Sequence, residues 1–152
     1  MTENINTTPQ PATSDEKLLA LLSHLSLFLG GIILPIIIWA TQKDKSKFVR
    51  FHSLQSIFFH LSIAAIVIFV VILFLIIIMA GIGFSNLDKM NNMDSMPPLF
   101  LFLMIVFYGG LILFILAVFG YSIYLAVKSY NGELIRIPVI GNIIYKKVYE
   151  QY

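Results

Sequence analysis

The chain has 152 residues, of which 59% are hydrophobic and only 12% are charged, and its formal net charge is +2. A soluble domain carries about 25% charged residues, so this composition excludes an ordinary water-soluble fold. The small net charge gives no reason to expect a nucleic-acid partner. Because the sequence contains no cysteine, disulfides and thiol chemistry are also excluded.

The N-terminal residues 1–14 are rich in Thr, Asn, Pro and Gln. They lack the basic stretch that opens a secretory signal peptide, and we predict a disordered polar tail. A helix is expected to begin at Ser14, because Asp15 and Glu16 follow this capping residue in the first turn. One membrane domain is predicted over residues 15–152.

Three apolar segments follow, at about 18–40, 54–84 and 99–130, and they are almost free of charged side chains. A hydrocarbon core about 30 Å thick is crossed by roughly 20 helical residues. A charged residue at its centre would cost about 2.5–3.5 kcal/mol. The sequence therefore predicts an all-α integral membrane protein, a small helical bundle with two long transmembrane helices.

The first apolar segment contains helix-breaking residues, namely Gly30, Gly31 and Pro35. Gly is favoured just after a helix and Pro at its first position, so we predict two short helices at about 14–29 and 35–43. Backbone that is not helical at membrane depth must be buried in protein or face water. The alternative is a single kinked span. A re-entrant hairpin would leave the N-terminus on the same side as residues 41–53, and a single span would not.

Basic residues are distributed unevenly between the two sides of the predicted bundle. Eight of the ten Lys and Arg residues lie either at 41–53 or after residue 127, and one lies at 85–98. The positive-inside rule predicts a multi-pass plasma-membrane protein with residues 41–53 and the C-terminus in the cytoplasm and residues 85–98 outside. Anionic lipids are the partners expected for this cytoplasmic face. Residues 138–150 are predicted to form an amphipathic helix at the interface.

Polar residues at membrane depth are the candidates for function, and helical spacing places several of them on one side of the second long helix. The candidate polar face consists of His24, Arg50, His52, Gln55, Ser56 and His60. These residues could fix helix packing, form a proton path or hold a metal. A metal needs three or four converging ligands, and three His without a carboxylate do not supply them. We therefore interpret the face as a packing device and expect no metal, cofactor or catalytic residue. No standard enzymatic motif is present, so we do not expect an enzyme.

Several motifs together resemble a known family. They are the Leu-Ser-His-Leu run at 22–25, Gly30 with Gly31, the block Ser46–Phe59, and the segment 131–138 with Gly132, Glu133 and Pro138. This combination resembles the Tic-twenty family of chloroplast inner-envelope import components and its small bacterial relatives of unknown function. The resemblance implies an all-helical membrane bundle and a non-enzymatic role. The plant member has four spanning helices, whereas this chain compresses the first two into residues 18–40.

Two functions follow as hypotheses. The first is a membrane scaffold or transport-associated subunit that acts through a homo-oligomer or a membrane-protein partner. The second is a small oligomeric carrier or ion-coupled pore with His24, His52 and His60 as its lining. About three spans are too few to enclose a pathway alone, so the second function requires a defined oligomer.

Overall fold

A computed structural model describes residues 11–82 and 98–150, and 85% of these residues are helical, with no strand among them. The helices are α1 (Ser14–Leu29), α2 (Ile33–Gln42), α3 (Lys47–Ile82), α4 (Pro98–Tyr130) and α5 (Ile140–Tyr145), which a π-helical turn (Lys146–Glu150) continues. The all-α prediction is confirmed, and α3 and α4 are both long and apolar enough to cross a membrane. Most of the predicted tail and of the predicted outer loop lies outside the described residues.

The first apolar segment is broken where the sequence predicts. The backbone N–H groups of Gly30 and Gly31 both bond to the carbonyl of Ser26, and Gly31 has a φ of 55°. Helix α2 begins at Ile33, two residues before the position expected from Pro35. The expected start is wrong because the N–H groups of a first helical turn have no intrahelical partner, so proline is tolerated at the third position as well.

The starts of α1 and α3 lie side by side. Thr13 caps α1 in a capping box with Glu16, and the Ser46 hydroxyl accepts the Val49 N–H at 3.2 Å as the cap of α3. The same Ser46 hydroxyl bonds to the Glu16 carboxylate and so lowers the pKa of Glu16. Because α2 packs against α1 and leads back to this end, α1 and α2 form a hairpin, and α3 starts out parallel to α1.

Helix α4 ends at the turn that the Asn131–Gly132 dipeptide predicts. Gly132 has a φ of 86°, a conformation that glycine adopts without steric cost. Its N–H bonds to the Ser129 carbonyl at 3.0 Å, and the Glu133 N–H bonds to the Lys128 carbonyl at 3.2 Å. This is the Schellman pattern, and an ion pair of 3.0 Å between the Lys128 and Glu133 side chains spans the turn.

The C-terminal segment is amphipathic, but its apolar side packs on protein. Ile144 and Val148 are buried against Phe51 of α3. Tyr149 also packs on this cluster, and burial raises the pKa of its hydroxyl to about 12. The sequence predicted an amphipathic helix at the interface. The structure adds that Ile144 and Val148 are covered by a large aromatic side chain of α3.

The chain divides into two compact units. Unit 1 contains residues 1–60 and 121–152, and unit 2 contains residues 61–120. Unit 2 consists of the most apolar stretches of α3 and α4, which contact each other through Phe74 and Phe107, stacked with ring centroids 3.8 Å apart. Most of the large apolar side chains of unit 2 are exposed in the isolated chain, as expected for helices that are solvated by lipid.

Candidate functional site: a buried polar cluster

Unit 1 buries a group of polar side chains that we call the polar cluster. Its members are Ser23, His24, Ser26, His52, Ser53, Gln55, Ser56, His60, Ser122 and Ser129. All of the polar face predicted from sequence is buried here except Arg50, which is half-buried. Its side-chain Nε has no hydrogen-bond partner, and its backbone carbonyl accepts the Ser53 hydroxyl at 3.2 Å. Since buried polar groups destabilise a fold unless they are hydrogen-bonded, the partners of this cluster decide its role.

The two histidines His24 and His52 form a direct contact between α1 and α3. Nε2 of His24 lies 3.1 Å from Nδ1 of His52, and the rings meet edge to face. One nitrogen must donate and the other accept, so the contact requires a complementary pair of neutral tautomers. If the first segment re-enters, similar depths in the membrane predict that His24 meets His60. Instead, neither ring nitrogen of His60 has a hydrogen bond within the described part of the chain. The parallel start of α1 and α3 brings residue 24 level with residue 52.

One serine of the cluster joins the middle of α1 to α3, and two others bond within α1. The Ser56 hydroxyl donates to the backbone carbonyl of Ser23. The same carbonyl accepts the Ser26 hydroxyl at 2.7 Å, and the Ser23 hydroxyl donates to the Leu19 carbonyl at 2.9 Å. Sequence analysis missed Ser23 and Ser26, although a pair of serines within an apolar helix, next to a histidine, is the signal that indicates a buried polar contact.

Gln55 fixes the chain that follows α4. Its Nε2 donates to the Ile135 carbonyl at 2.9 Å, and its Oε1 accepts the Ile137 N–H at 2.7 Å. Both ends of one fully buried amide thus satisfy the backbone of a segment that has no regular secondary structure. The Gln55 side chain therefore replaces the backbone partner that this segment lacks.

Gly141 lies directly against the Gln55 side chain. It was not among the residues predicted from sequence. A Cβ added at Gly141 would lie 2.6 Å from Oε1 of Gln55 and 2.7 Å from the Cα of Arg136. Only glycine fits, because the backbone of α5 passes directly over the backbone around residue 136. A glycine inside an Ile-rich amphipathic stretch is the sequence signal that points to such a close approach.

The C-terminal motif Gly132, Glu133 and Pro138 forms the connection between α4 and α5. Gly132 makes the turn described above, and the backbone of Glu133 lies beside the buried ring of His52. The Pro138 carbonyl accepts the Ile140 N–H at 2.8 Å, which closes a tight turn around Val139. The motif therefore holds the post-α4 segment against α3.

The chemistry available to the polar cluster is hydrogen bonding. Its hydroxyl and amide groups bond mainly to backbone atoms, and two of its imidazoles bond to each other. Over residues 11–82 and 98–150, no group of three or more His, Cys, Asp or Glu side chains converges to hold a metal ion. The arrangement fixes the positions of α1, α3 and the post-α4 segment.

A double-mutant cycle tests the histidine contact. We expect His24→Ala and His52→Ala each to lower the free energy of unfolding by about 1–3 kcal/mol, since each leaves a buried partner unpaired. The double variant should lose about 1 kcal/mol less than the sum of the two. Chemical denaturation in a mild detergent measures this. The losses in free energy of unfolding for the control pair His24→Ala and His60→Ala should be additive. Additivity in both pairs would mean that His24 and His52 do not interact.

The fold and the cluster define a class: this is a polytopic helical membrane protein whose first two helices form a hairpin, with buried polar contacts that join α1 to α3. The chain belongs to the MamF/MmsF family, described as the magnetosome magnetite crystal formation protein family, whose profile matches residues 15–144. No curated protein and no solved structure matches the chain significantly.

The family match corrects the resemblance stated above. The matched residues 15–144 include all of the motifs that suggested the Tic-twenty family. The assignment to that family is wrong. The residues that carried it, such as His24, Gln55 and Gly132, hold the hairpin and the post-α4 segment together. Such motifs reflect the packing of a small helical unit, and they do not indicate a role in protein import.

Proposed function

We propose that this protein is a non-enzymatic membrane scaffold, and that its setting is the one named by its family, the formation of magnetite crystals at the magnetosome membrane. The observation that carries the proposal is the polar cluster. Two of its side chains bond to the backbone of neighbouring elements: Gln55 bonds to Ile135 and Ile137, and Ser56 bonds to Ser23. Polar groups used in this way give unit 1 a fixed shape, which is what a scaffold presents to its partners.

Helix lengths support the placement of the chain in a bilayer. The stretch of α3 after His60 and the stretch of α4 before Tyr121 are about 33–35 Å long at 1.5 Å per residue. That length matches a hydrocarbon core about 30 Å thick. The polar residues of α3 precede this stretch, so we place the polar cluster near the headgroups and only the tip of the hairpin, around Leu29 and Ile33, against the acyl chains.

The distribution of basic residues supports one orientation of the chain in the membrane. Nine of the ten Lys and Arg residues belong to unit 1, and the tenth, Lys89, lies outside the described residues. With the N-terminus of α1 beside the start of α3, the positive-inside rule places unit 1 at the cytoplasmic face and the α3–α4 connection on the opposite side. The plasma membrane expected from sequence stays a prediction, and fractionation distinguishes it from a magnetosome membrane.

The carrier or pore built around His24, His52 and His60 is not the function we propose. Two of these imidazoles bond to each other inside unit 1, which supports a packing role. A homo-oligomer or a membrane-protein partner is part of the scaffold proposal, because the exposed apolar sides of α3 and α4 leave room for helix contacts as well as lipid.

The proposal is tested in a magnetite-forming bacterium from which its own family member has been deleted. We expect this chain to move crystal size towards that of the parent strain, measured by electron microscopy. Gln55→Leu should fail to do so, and Gln42→Leu, which alters a glutamine with no described side-chain hydrogen bond, should succeed. Membrane levels of the three proteins are compared by immunoblot. Crystals identical to those of the empty-vector strain, despite normal levels of the wild-type chain in the membrane, would contradict the proposal.

A further inference from the structure

The C-terminal segment carries an exposed stripe that packing within the chain does not explain. We define the C-terminal stripe as four exposed residues, Val139, Ile143, Lys146 and Lys147. Spacing places Ile143, Lys146 and Lys147 on one face, and Val139 lies in the turn that precedes α5. Ile144 and Val148 lie on the other face and are buried against Phe51. We propose that the C-terminal stripe is a docking surface for an anionic lipid leaflet. This inference requires a membrane-embedded chain but does not depend on the proposed scaffold function.

The apolar half of the stripe is held away from the protein. Val139 is 74% exposed and Ile143 is 64% exposed, and Val139 is the most exposed large apolar side chain of the described residues. Its φ of 65° and ψ of −63° form a γ-turn that is strained for a β-branched residue. Strained conformations persist mainly where function uses them. Shallow contact with acyl chains would cover both side chains.

The basic half of the stripe supplies attraction to negative charge. Lys146 and Lys147 are exposed and have no acidic partner among the described contacts. The guanidinium of Arg136 lies 3.6 Å from the centre of the Tyr145 ring, which holds a third positive charge beside the stripe. The described residues of unit 1 contain nine Lys and Arg against five Asp and Glu, and Glu133 is already paired with Lys128. Clustered basic residues beside a membrane favour anionic lipids.

The presence of both apolar and basic side chains in the C-terminal stripe favours a lipid leaflet over an acidic protein as its partner. Two exposed apolar side chains next to two lysines are the pattern of an element that lies in the headgroup region. A purely polar acidic partner would leave Val139 and Ile143 uncovered. In addition, only residues 131–138 separate α4, one of the two helices able to cross a membrane, from the stripe, so the chain keeps it close to the bilayer surface.

The test uses the 152-residue chain, which is free of cysteine, with a fluorophore on Asn142→Cys in an uncharged detergent. Phosphatidylglycerol carrying a quencher near its headgroup is titrated against phosphatidylcholine carrying the same quencher. We expect half-maximal quenching at a much lower concentration of phosphatidylglycerol. Replacing both stripe lysines, Lys146→Gln with Lys147→Gln, should raise that concentration about 30-fold. Val139→Ser with Ile143→Ser should also weaken quenching.

Matched variants decide whether the stripe itself is responsible. Lys43→Gln with Lys45→Gln removes two exposed lysines from the α2–α3 turn and should change the titration much less. If both lysine pairs raised the half-maximal concentration of phosphatidylglycerol equally, overall charge would suffice, and that result would overturn the proposal. Equal quenching by both lipids would overturn it as well. So would displacement of phosphatidylglycerol by polyglutamate at comparable charge concentration, since that result favours an acidic protein partner.

Discussion

Gln55→Leu is expected to cause the largest loss of stability of any single substitution considered for this protein. The change leaves the buried Ile137 N–H and the partly buried Ile135 carbonyl without the partner that the amide supplies. Each unsatisfied buried group costs about 1–3 kcal/mol, so we expect a loss of about 2–5 kcal/mol in the free energy of unfolding. Thermal and chemical denaturation in a mild detergent measure the loss.

The same substitution at a second glutamine is the control. Gln42 lies at the end of α2 and makes no side-chain hydrogen bond among the described contacts. Gln42→Leu should therefore change the free energy of unfolding by less than about 0.5 kcal/mol, as surface substitutions usually do. If the two variants were equally stable, the Gln55 amide would not be holding the post-α4 segment.

Gly141→Ala is also expected to be strongly destabilising. The new Cβ would approach the Arg136 Cα and the Gln55 Oε1 to less than 3 Å, and the Arg136 contact is backbone that cannot rotate away. Forcing extra volume into a packed site typically costs about 1–3 kcal/mol. We expect a clear fall in melting temperature, together with increased proteolysis of the segment after residue 130.

Gly110→Ala provides the comparison for this prediction. Gly110 lies within α4, and an added Cβ meets no atom within 4 Å. Because alanine is favoured over glycine in a helix by up to about 1 kcal/mol, this variant should match or exceed the wild type in stability. A melting temperature for Gly141→Ala equal to that of Gly110→Ala would mean that α5 does not pass close to residue 136.

The parts of the fold that local signals determine were predictable from sequence. The end of α1 at Leu29 follows from a Gly-Gly pair, and the end of α4 follows from Gly132. Helix α1 starts at Ser14 as expected, but its cap is Thr13 and not the expected Ser14, because the Thr13 side chain forms the capping box with Glu16. Each of these signals acts within a few residues of the feature that it determines. Composition likewise sufficed to predict the apolar helices.

The contacts inside the polar cluster were not predictable in the same way. Helical spacing places His52, Gln55 and His60 on one side of α3, but it does not say which of them meets His24. That choice depends on the offset between α1 and α3, which the α2 hairpin sets. The buried position of Gly141 depends in turn on where the post-α4 segment crosses α3. Both are long-range properties, and a single sequence carries only weak signals for them.

The central structural claim is that α1 and α2 form a hairpin, with the start of α1 at the same end as the start of α3. Single cysteines at Ser14, Lys45 and Asn91 test it directly, since the chain has no cysteine of its own. An impermeant maleimide is applied to intact cells and then to opened membranes. We predict that Ser14→Cys and Lys45→Cys react only after the membranes are opened, and that Asn91→Cys reacts in intact cells. Reaction of Ser14→Cys together with Asn91→Cys, while Lys45→Cys stays protected, would mean that the first segment crosses the membrane once and would contradict the account.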